Sequence, residues 1–572
     1  YTTLFRSETD SFSPLVRPFF SNSRVLFDVP KKSRVDHCYE CNGAKIIISK
    51  GDEETYSIFP TEYSLRQHEL EVLKEAYTRI LKETAKDERS FTDICRNHIS
   101  QIAAKKGFDI SEQRRGQMTA DLVRCSRGLD IIELMLRDPN LQDVYINSPI
   151  DSTPLYVKHK DYDDCRTNVF LSEQAARNII SKFRLRSGRA FSEVSPILDM
   201  ELPEFGVRVN ITGPPVSPDG LAFAFRRASE EPWTLLRFIE NRMISPLAVG
   251  LLSLMVNEES TILMAGDRGS GKTSLLSALI GAMPTKYRIL TMEDTFEIPV
   301  PILAKKGGFR IQRMRIKPPT SADSHEMSAD DAMRSLLRMG DSAIVMGEVR
   351  GREARTLYEA MNVGGSGNCV LGTIHGKSPR SLLERVVSSL GVPPQSFKAT
   401  DLVVVADRIR PGGGSKRLRR VAKIVEVKKS WTELNEKDVF QTLMEYDQQS
   451  DLVVSTEALR NPENSEVISK IADKRGCSAK EVLRDAQTRA AVYEQAVELF
   501  KEKNDESILG LGNMVAINQK YSQLIDEGIR EFGKADYDFI LDEMTEWMEN
   551  EKSGSVKILS KSKNELRKTV QN

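Results

Sequence analysis

The sequence predicts an α/β fold with a parallel sheet, and three observations predict it. Four apolar segments, STILMAG (260–266), YRILTMED (287–294), SAIVMGEV (342–349) and CVLGTIH (369–375), alternate with helical stretches. A glycine-rich segment joins the first of them to a helix that begins at Lys272, and acids or a histidine close the other three. Strands that are apolar throughout are those buried on both faces of a parallel sheet, with helices on either side.

At 572 residues the chain exceeds what one hydrophobic core usually supports. Four regions are expected. Residues 1–112 form an N-terminal accessory region, with a strand-like piece, AKIIISKGDEETYSIFP, and a helix over Ser64–Lys86 in which Leu65, Leu70, Leu73, Ala76 and Ile80 keep a helical period. Residues 113–231 mix a helix (DIIELMLRD), strands (DVYINS, PLYVKH), a second helix (EQAARNIISKFRLRSG) and strands (FGVRVNIT, LAFAFRR), the pattern of an α+β domain. Pro232 and Trp233, with the polar run before them, read as a linker. The alternating core then runs over 232–431, and residues 432–572 read as a helical C-terminal domain ending in a basic tail, with six Lys or Arg against one Glu from Lys552 onward.

Composition narrows the function classes. Lys plus Arg equals Asp plus Glu at 82 each, and no basic, aromatic-studded segment stands out, which argues against a nucleic-acid partner. The longest apolar run, Pro246 to Val256, is about half the roughly 20 residues that a bilayer-spanning helix needs. The first residues show no basic region followed by an apolar core, so no secretory signal is expected. Seven scattered cysteines make no disulfide framework, and the expectation is a reducing, cytoplasmic setting.

The strongest signal is Gly266-Asp267-Arg268-Gly269-Ser270-Gly271-Lys272-Thr273, which fits G-x-x-x-x-G-K-[ST] between an apolar strand and a helix. Glycines let the backbone wrap phosphates with its N–H groups facing them. Lys272 brings a positive charge to the terminal phosphates of ATP, and Thr273 offers its hydroxyl to Mg²⁺. A glycine-rich turn that matches by chance would lack both flanks.

Glu293 and Asp294 close the next strand, at the carboxyl edge where open α/β sheets bind ligands. An acid there orients or deprotonates the attacking water or holds Mg²⁺ through water, although an acid pair after a strand also serves as a helix cap. Glu348 closes the third strand as a second acid for the same site. His375 closes the fourth, placed to sense or polarise the terminal phosphate, though a lone histidine is usually structural.

The order of these motifs, a Walker A segment, an acidic box (TMEDTFEIP), an atypical Walker B ending in GEVRGRE and a histidine box (GTIHG), resembles the type II/type IV secretion ATPase superfamily that powers type II secretion, type IV pili and the archaellum. The stretch from GTIHGKSPRSLLERVV through RRVAKIVEV is similar to its archaeal pilus-assembly branch. The resemblance runs from about Gln113 to Asp447; the first hundred residues and the basic tail lie outside it. It implies a RecA-like core, ATP with Mg²⁺ as cofactors, and a homo-hexameric ring with ATP between the N-terminal and RecA-like domains. It further implies phosphate-reaching arginines, for which Arg208, Arg226 and Arg227 are the candidates by position; each is equally readable as an ordinary strand cation. The partner implied is a polytopic membrane platform protein, with the motor peripheral at the inner face of the cytoplasmic membrane. A pilus, an archaellum and a secretion machine are alike in these residues, and a RecA-like helicase is the alternative of another class. The segment Gly376-Lys377-Ser378 departs from the usual histidine box.

His37, Cys38 and Cys41 place three soft ligands within five residues, one fewer than tetrahedral zinc takes, with Cys95 and His98 as distant candidates for the set. A redox-inert turn is the favoured reading over a metal site.

Overall fold

The computed structural model describes residues 23–26, 34–82, 88–227, 232–294, 296–316, 329–340, 342–351, 353–363, 369–410, 417–432 and 434–550. The chain divides into two compact units, Tyr1–Ser229 and Glu230–Asn572, so the break falls just before the expected Pro232 linker. The basic tail lies outside the described residues.

In the first unit, strands β1 (Ser23–Val25), β2 (Arg34–Cys41), β3 (Ala44–Lys50), β4 (Thr55–Pro60), β5 (Leu141–Ile146), β6 (Tyr156–His159), β7 (Asp163–Thr167), β8 (Val169–Leu171), β9 (Ile197–Leu202), β10 (Val207–Thr212) and β11 (Ala222–Arg227) form two sheets. One is the pair β1-β8, and the other has nine strands in the order β2-β3-β4-β7-β6-β5-β11-β10-β9. The expected boundary at 112/113 therefore lies within a sheet, because β2 to β4 and β5 to β11 pair through β4 and β7. The helix Glu173–Ser187 begins at Ser172, whose side chain accepts from the Ala175 N–H, and ends at Gly188 in the left-handed region. Its Ala176, Ile179, Ile180 and Phe183 face the core that Val209, Ile211 and Phe225 fill from the sheet. Helices Gln67–Ile80, Glu88–Lys106 and Glu112–Ser126 enclose a separate core around Leu73, Ile99, Met118 and Leu122.

In the second unit nine strands form one sheet: β12 (Thr261–Gly266), β13 (Arg288–Glu293), β14 (Arg310–Arg315), β15 (Ala343–Met346), β16 (Val370–His375), β17 (Leu402–Ile409), β18 (Leu418–Val427), β19 (Phe440–Asp447) and β20 (Leu452–Ser455). Their order is β14-β13-β15-β16-β12-β17-β18-β19-β20. Pairing is parallel from β14 to β17 and antiparallel from β17 to β20. Every residue of β12 and β15 is buried, which is why these strands read as unbroken apolar runs. The fold is the α/β arrangement expected from alternation, with an antiparallel extension. That extension corrects one boundary: residues 432–455 continue the sheet through β19 and β20, and helices dominate only from Glu457.

The apolar run Pro246–Val256 lies in the helix Pro246–Asn257, whose residues from Ala248 to Val256 are all buried. A helix apolar all round belongs in a core. Gly250 lets the helix Ala479–Lys503 approach it closely, since a Cβ at that position would stand 2.1 Å from the Ala486 carbonyl oxygen. No described helix is long and apolar enough to cross a membrane. The C-terminal helices also hold a buried ion network, in which Asp485 binds Arg475 at 2.8 Å and Arg489 at 2.8 Å, and Arg475 in turn binds Glu258 at 2.7 Å.

Candidate functional site

The glycine-rich segment leaves β12 at the centre of the sheet and turns directly into the helix Lys272–Ile280. Gly266, Gly269 and Gly271 have φ of 151°, 78° and 95°, values that side-chain-bearing residues rarely adopt. At Gly266 a Cβ would also stand 2.2 Å from the Ala406 carbonyl oxygen of β17, so close packing demands glycine there twice over. Ser270 Oγ is buried without a hydrogen-bond partner among the described residues. Lys272 is buried, and its Nζ donates to the Asp267 carbonyl at 2.8 Å. Burial pulls the Lys272 pKa down against the opposing charges of Glu348 and Asp267. Thr273 follows in the helix's first turn, half-exposed, and Arg268 is exposed.

This geometry fits a polyphosphate. A loop held in a glycine-only conformation at a helix N-terminus, an unpartnered buried hydroxyl and a lysine crowded by burial are complementary to negative oxygens. Two contacts were not anticipated from sequence. Arg419 Nε donates to the Gly269 carbonyl at 2.9 Å, and Lys377 pairs with Asp267 at 3.3 Å. The second explains a use for the lysine of the atypical histidine box.

The acids and the histidine line the same carboxyl edge. Gly266 pairs in register with His375, and Met292 with Met346, so the ends of β13, β15, β16 and β12 are neighbours. Glu293 is buried. Its Oε1 accepts the N–H groups of Glu297 and Ile298, each at 2.9 Å, and its Oε2 is buried with no hydrogen-bond partner among the described residues. Burial pushes its pKa up to about 7 despite these two donors. Glu293 therefore acts in part as the cap of the following turn.

Glu348 sits two residues beyond β15. Its Oε1 lies 3.1 Å from His375 Nε2 and is buried without a hydrogen-bond partner among the described residues. Its Oε2 accepts from Arg350, and the same guanidinium reaches Asp294 at 2.8 Å. Burial raises the Glu348 pKa, but Arg350, with His375 and Lys272, outweighs it and holds the carboxyl below its usual range. Arg350 and Asp294 thus join the acidic box to the Walker B segment. Both stood inside the quoted motifs, and only the pairing across strand ends reveals their connection.

The other candidates lie in the first unit. Arg208 and Arg226 are directly opposite one another on β10 and β11. Both are well exposed, with acids at 3.9 Å, Asp199 for Arg208 and Asp143 for Arg226. Arg227 is engaged otherwise: it donates to the carbonyls of Leu141 at 3.0 Å and Asp138 at 2.9 Å, and to that of Leu136. A guanidinium committed to three carbonyls is a structural tie, which separates Arg227 from the other two. His37, Cys38 and Cys41 lie along extended β2, where neighbouring side chains point to opposite faces. Among the described residues they do not converge; the group that does is Glu62, Cys125 and Asp130.

Comparison with known proteins shows the family. The family model described as "Type II/IV secretion system protein" matches residues 178–550, well over half of the chain. The Methanocaldococcus jannaschii protein MJ0781 is 31% identical over 42% of this chain, and the match spans 33% of that relative's length. Type IV secretion system protein PtlH of Bordetella pertussis is 29% identical over 39% of this chain and 73% of its own. The solved structure of the Yersinia pseudotuberculosis ATPase DotB is 16% identical with a TM-score of 0.37, covering 68% of this chain and 93% of that one. The chain belongs to the type II/IV secretion system protein family.

Proposed function

We propose that this chain is an ATPase, a motor that couples ATP hydrolysis to mechanical work on a membrane-bound secretion or pilus-type machine. The observation that carries the reading is the convergence of Lys272, Glu293, Glu348 and His375 on one sheet edge around a phosphate-shaped loop. In this reading the backbone of residues 266–271 and Lys272 hold the phosphates, and Thr273 holds Mg²⁺. The metal supplies charge neutralisation of the terminal phosphates when bound.

Glu348 Oε1 accepts a hydrogen bond from water and turns the water oxygen toward the terminal phosphorus. The new P–O bond forms as the bond to the bridging oxygen breaks, its electron pair leaving on ADP, and the water proton passes by way of Glu348 to the phosphate product. His375 borders the same space. Arg208 and Arg226, whose guanidiniums are exposed, remain candidates by position for the charge developing on the phosphoryl oxygens, whereas Arg227 is committed to backbone carbonyls.

The family supports oligomeric action with membrane components, and we propose a homo-hexamer working on a polytopic platform protein at the inner face of the cytoplasmic membrane. Similarity to Methanocaldococcus jannaschii sequences is in keeping with an archaeal branch, for which a pilus-assembly motor is our reading and the archaellum motor the neighbouring alternative. A helicase is disfavoured by the balanced charge. The test is ATP hydrolysis per subunit as a function of protein concentration, with Glu348→Gln mixed into the wild type. Activity that rises more than linearly and is poisoned by the variant is expected; activity constant down to monomeric concentrations contradicts a shared ring.

A further inference from the structure

We propose that Arg350 is the positioning residue that orients Glu348 toward the attacking water. The inference rests on the reading of Glu348 as the group that acts on water. Arg350 carries two contacts on one planar fork: one edge holds Glu348 Oε2 and another holds Asp294 Oδ2 at 2.8 Å. A lysine, as a point charge, would not span both acids with the same geometry.

Pinning one oxygen of a carboxylate fixes where the other faces. Here the other is Glu348 Oε1, buried, without a hydrogen-bond donor among the described residues, and 3.1 Å from His375 Nε2 at the end of the neighbouring strand. An acceptor in that condition is costly to bury and is ready for an O–H group. The segment that presents Arg350 is itself held, because Glu353 Oε1 accepts the N–H groups of Arg350 at 2.8 Å and Gly351 at 2.7 Å. The chain of command therefore runs from Glu353 to the backbone, from the backbone and Asp294 to Arg350, and from Arg350 to Glu348. The titratable groups facing Glu348 are Arg350, His375 and Lys272, and Arg350 is the one hydrogen-bonded to it.

A surface ion pair that merely ties two loops together would contribute little and leave the chemistry untouched. A positioning residue predicts more. On the full chain, Arg350→Ala should lower kcat about tenfold to a hundredfold, the range for loss of a group that orients a reacting ligand. Equilibrium binding of ATP should stay within about twofold, because the phosphates are held elsewhere. The acidic limb of the kcat–pH profile should move to higher pH, since the charge that favours the carboxylate is gone. Arg350→Lys should recover part of the rate, and Asp294→Asn should lose less than Arg350→Ala.

An Arg350→Ala protein that is folded, with kcat and acidic limb both unchanged, overturns the inference; so does a lost rate that Arg350→Lys fails to recover in any part while remaining folded. Glu348→Gln measured in parallel separates the two levels. Normal hydrolysis by Glu348→Gln removes the reading on which the inference rests, whereas an inactive Glu348→Gln beside an unaffected Arg350→Ala removes the inference alone.

Discussion

Glu293 lies against the backbone of Gly347: a Cβ on Gly347 would stand 2.8 Å from Glu293 Cγ, so the glycine of the third strand end makes room for the acid of the second. The carboxyl is thereby buried next to Glu348's own segment. Two backbone N–H groups on one oxygen do not offset its loss of water, which is why its pKa rises from 4.5 to about 7.

That shift has a defined sign. Between pH 4.5 and 7 the folded chain keeps a proton on Glu293 that the unfolded chain has released, so stability falls as pH rises through this window and is level above it. The loss amounts to about 3 kcal/mol, as an order of magnitude. Glu293→Gln, which cannot ionise, should therefore melt higher than the wild type at pH 8 and gain nothing at pH 4, while its ATPase turnover falls at both. Thermal melts across pH, with turnover at the same points, check this; equal melting shifts at both pH values would show that the Glu293 pKa is not raised in the fold.

The three arginine candidates should separate by stability. Arg227→Ala leaves buried carbonyls at Leu136, Asp138 and Leu141 short of a donor and should cost about 1–3 kcal/mol. Arg208→Ala and Arg226→Ala remove exposed side chains and should stay within about 0.5 kcal/mol in stability while lowering ATPase turnover. Urea denaturation and steady-state turnover on the three variants make the comparison.

Asp485 is buried between Arg475 and Arg489, with Tyr521 donating to it at 2.7 Å. Burial alone would raise its pKa, but the two guanidiniums prevail and hold it below its usual value. Its contribution is present above the ordinary aspartate range and is lost as pH falls below it. Asp485→Ala leaves buried Arg489 without its carboxylate and takes one of two from Arg475, and should cost about 3–5 kcal/mol, read as a lower denaturant midpoint for the second unit at pH 7. A change under about 1 kcal/mol would show the network to be dispensable.

Much of the second unit was legible because its strands are buried on both faces, and burial leaves an unbroken apolar signature. The loop from Gly266 to Thr273 and the strand ends at Glu293, Glu348 and His375 carried their chemistry in order along the chain. The strands β19 and β20 were harder to see: FQTLMEYD, with only Phe440, Leu443 and Met444 buried, makes neither an unbroken apolar run nor a strict alternation, and short helical turns precede β19 and follow β20. The boundary at 112 failed for a different reason. Pairing of β4 with β7 joins residues more than a hundred positions apart, and local pattern carries no trace of such a contact. Arg350 and Arg227 show the same limit at the level of single side chains. Both are arginines beside acidic or apolar strand ends, yet one reaches carboxylates and the other carbonyls, which depends on backbone placed by distant parts of the sequence.

The central claim is that the loop ending in Lys272 and Thr273 binds ATP for hydrolysis at this sheet edge. Its most direct test is steady-state phosphate release by the full chain with Mg²⁺ and ATP, wild type against Lys272→Ala. Lys272 brings the positive charge that the terminal phosphates require, so turnover should be abolished in the variant while the protein stays folded. Hydrolysis by folded Lys272→Ala at the wild-type rate would contradict the account.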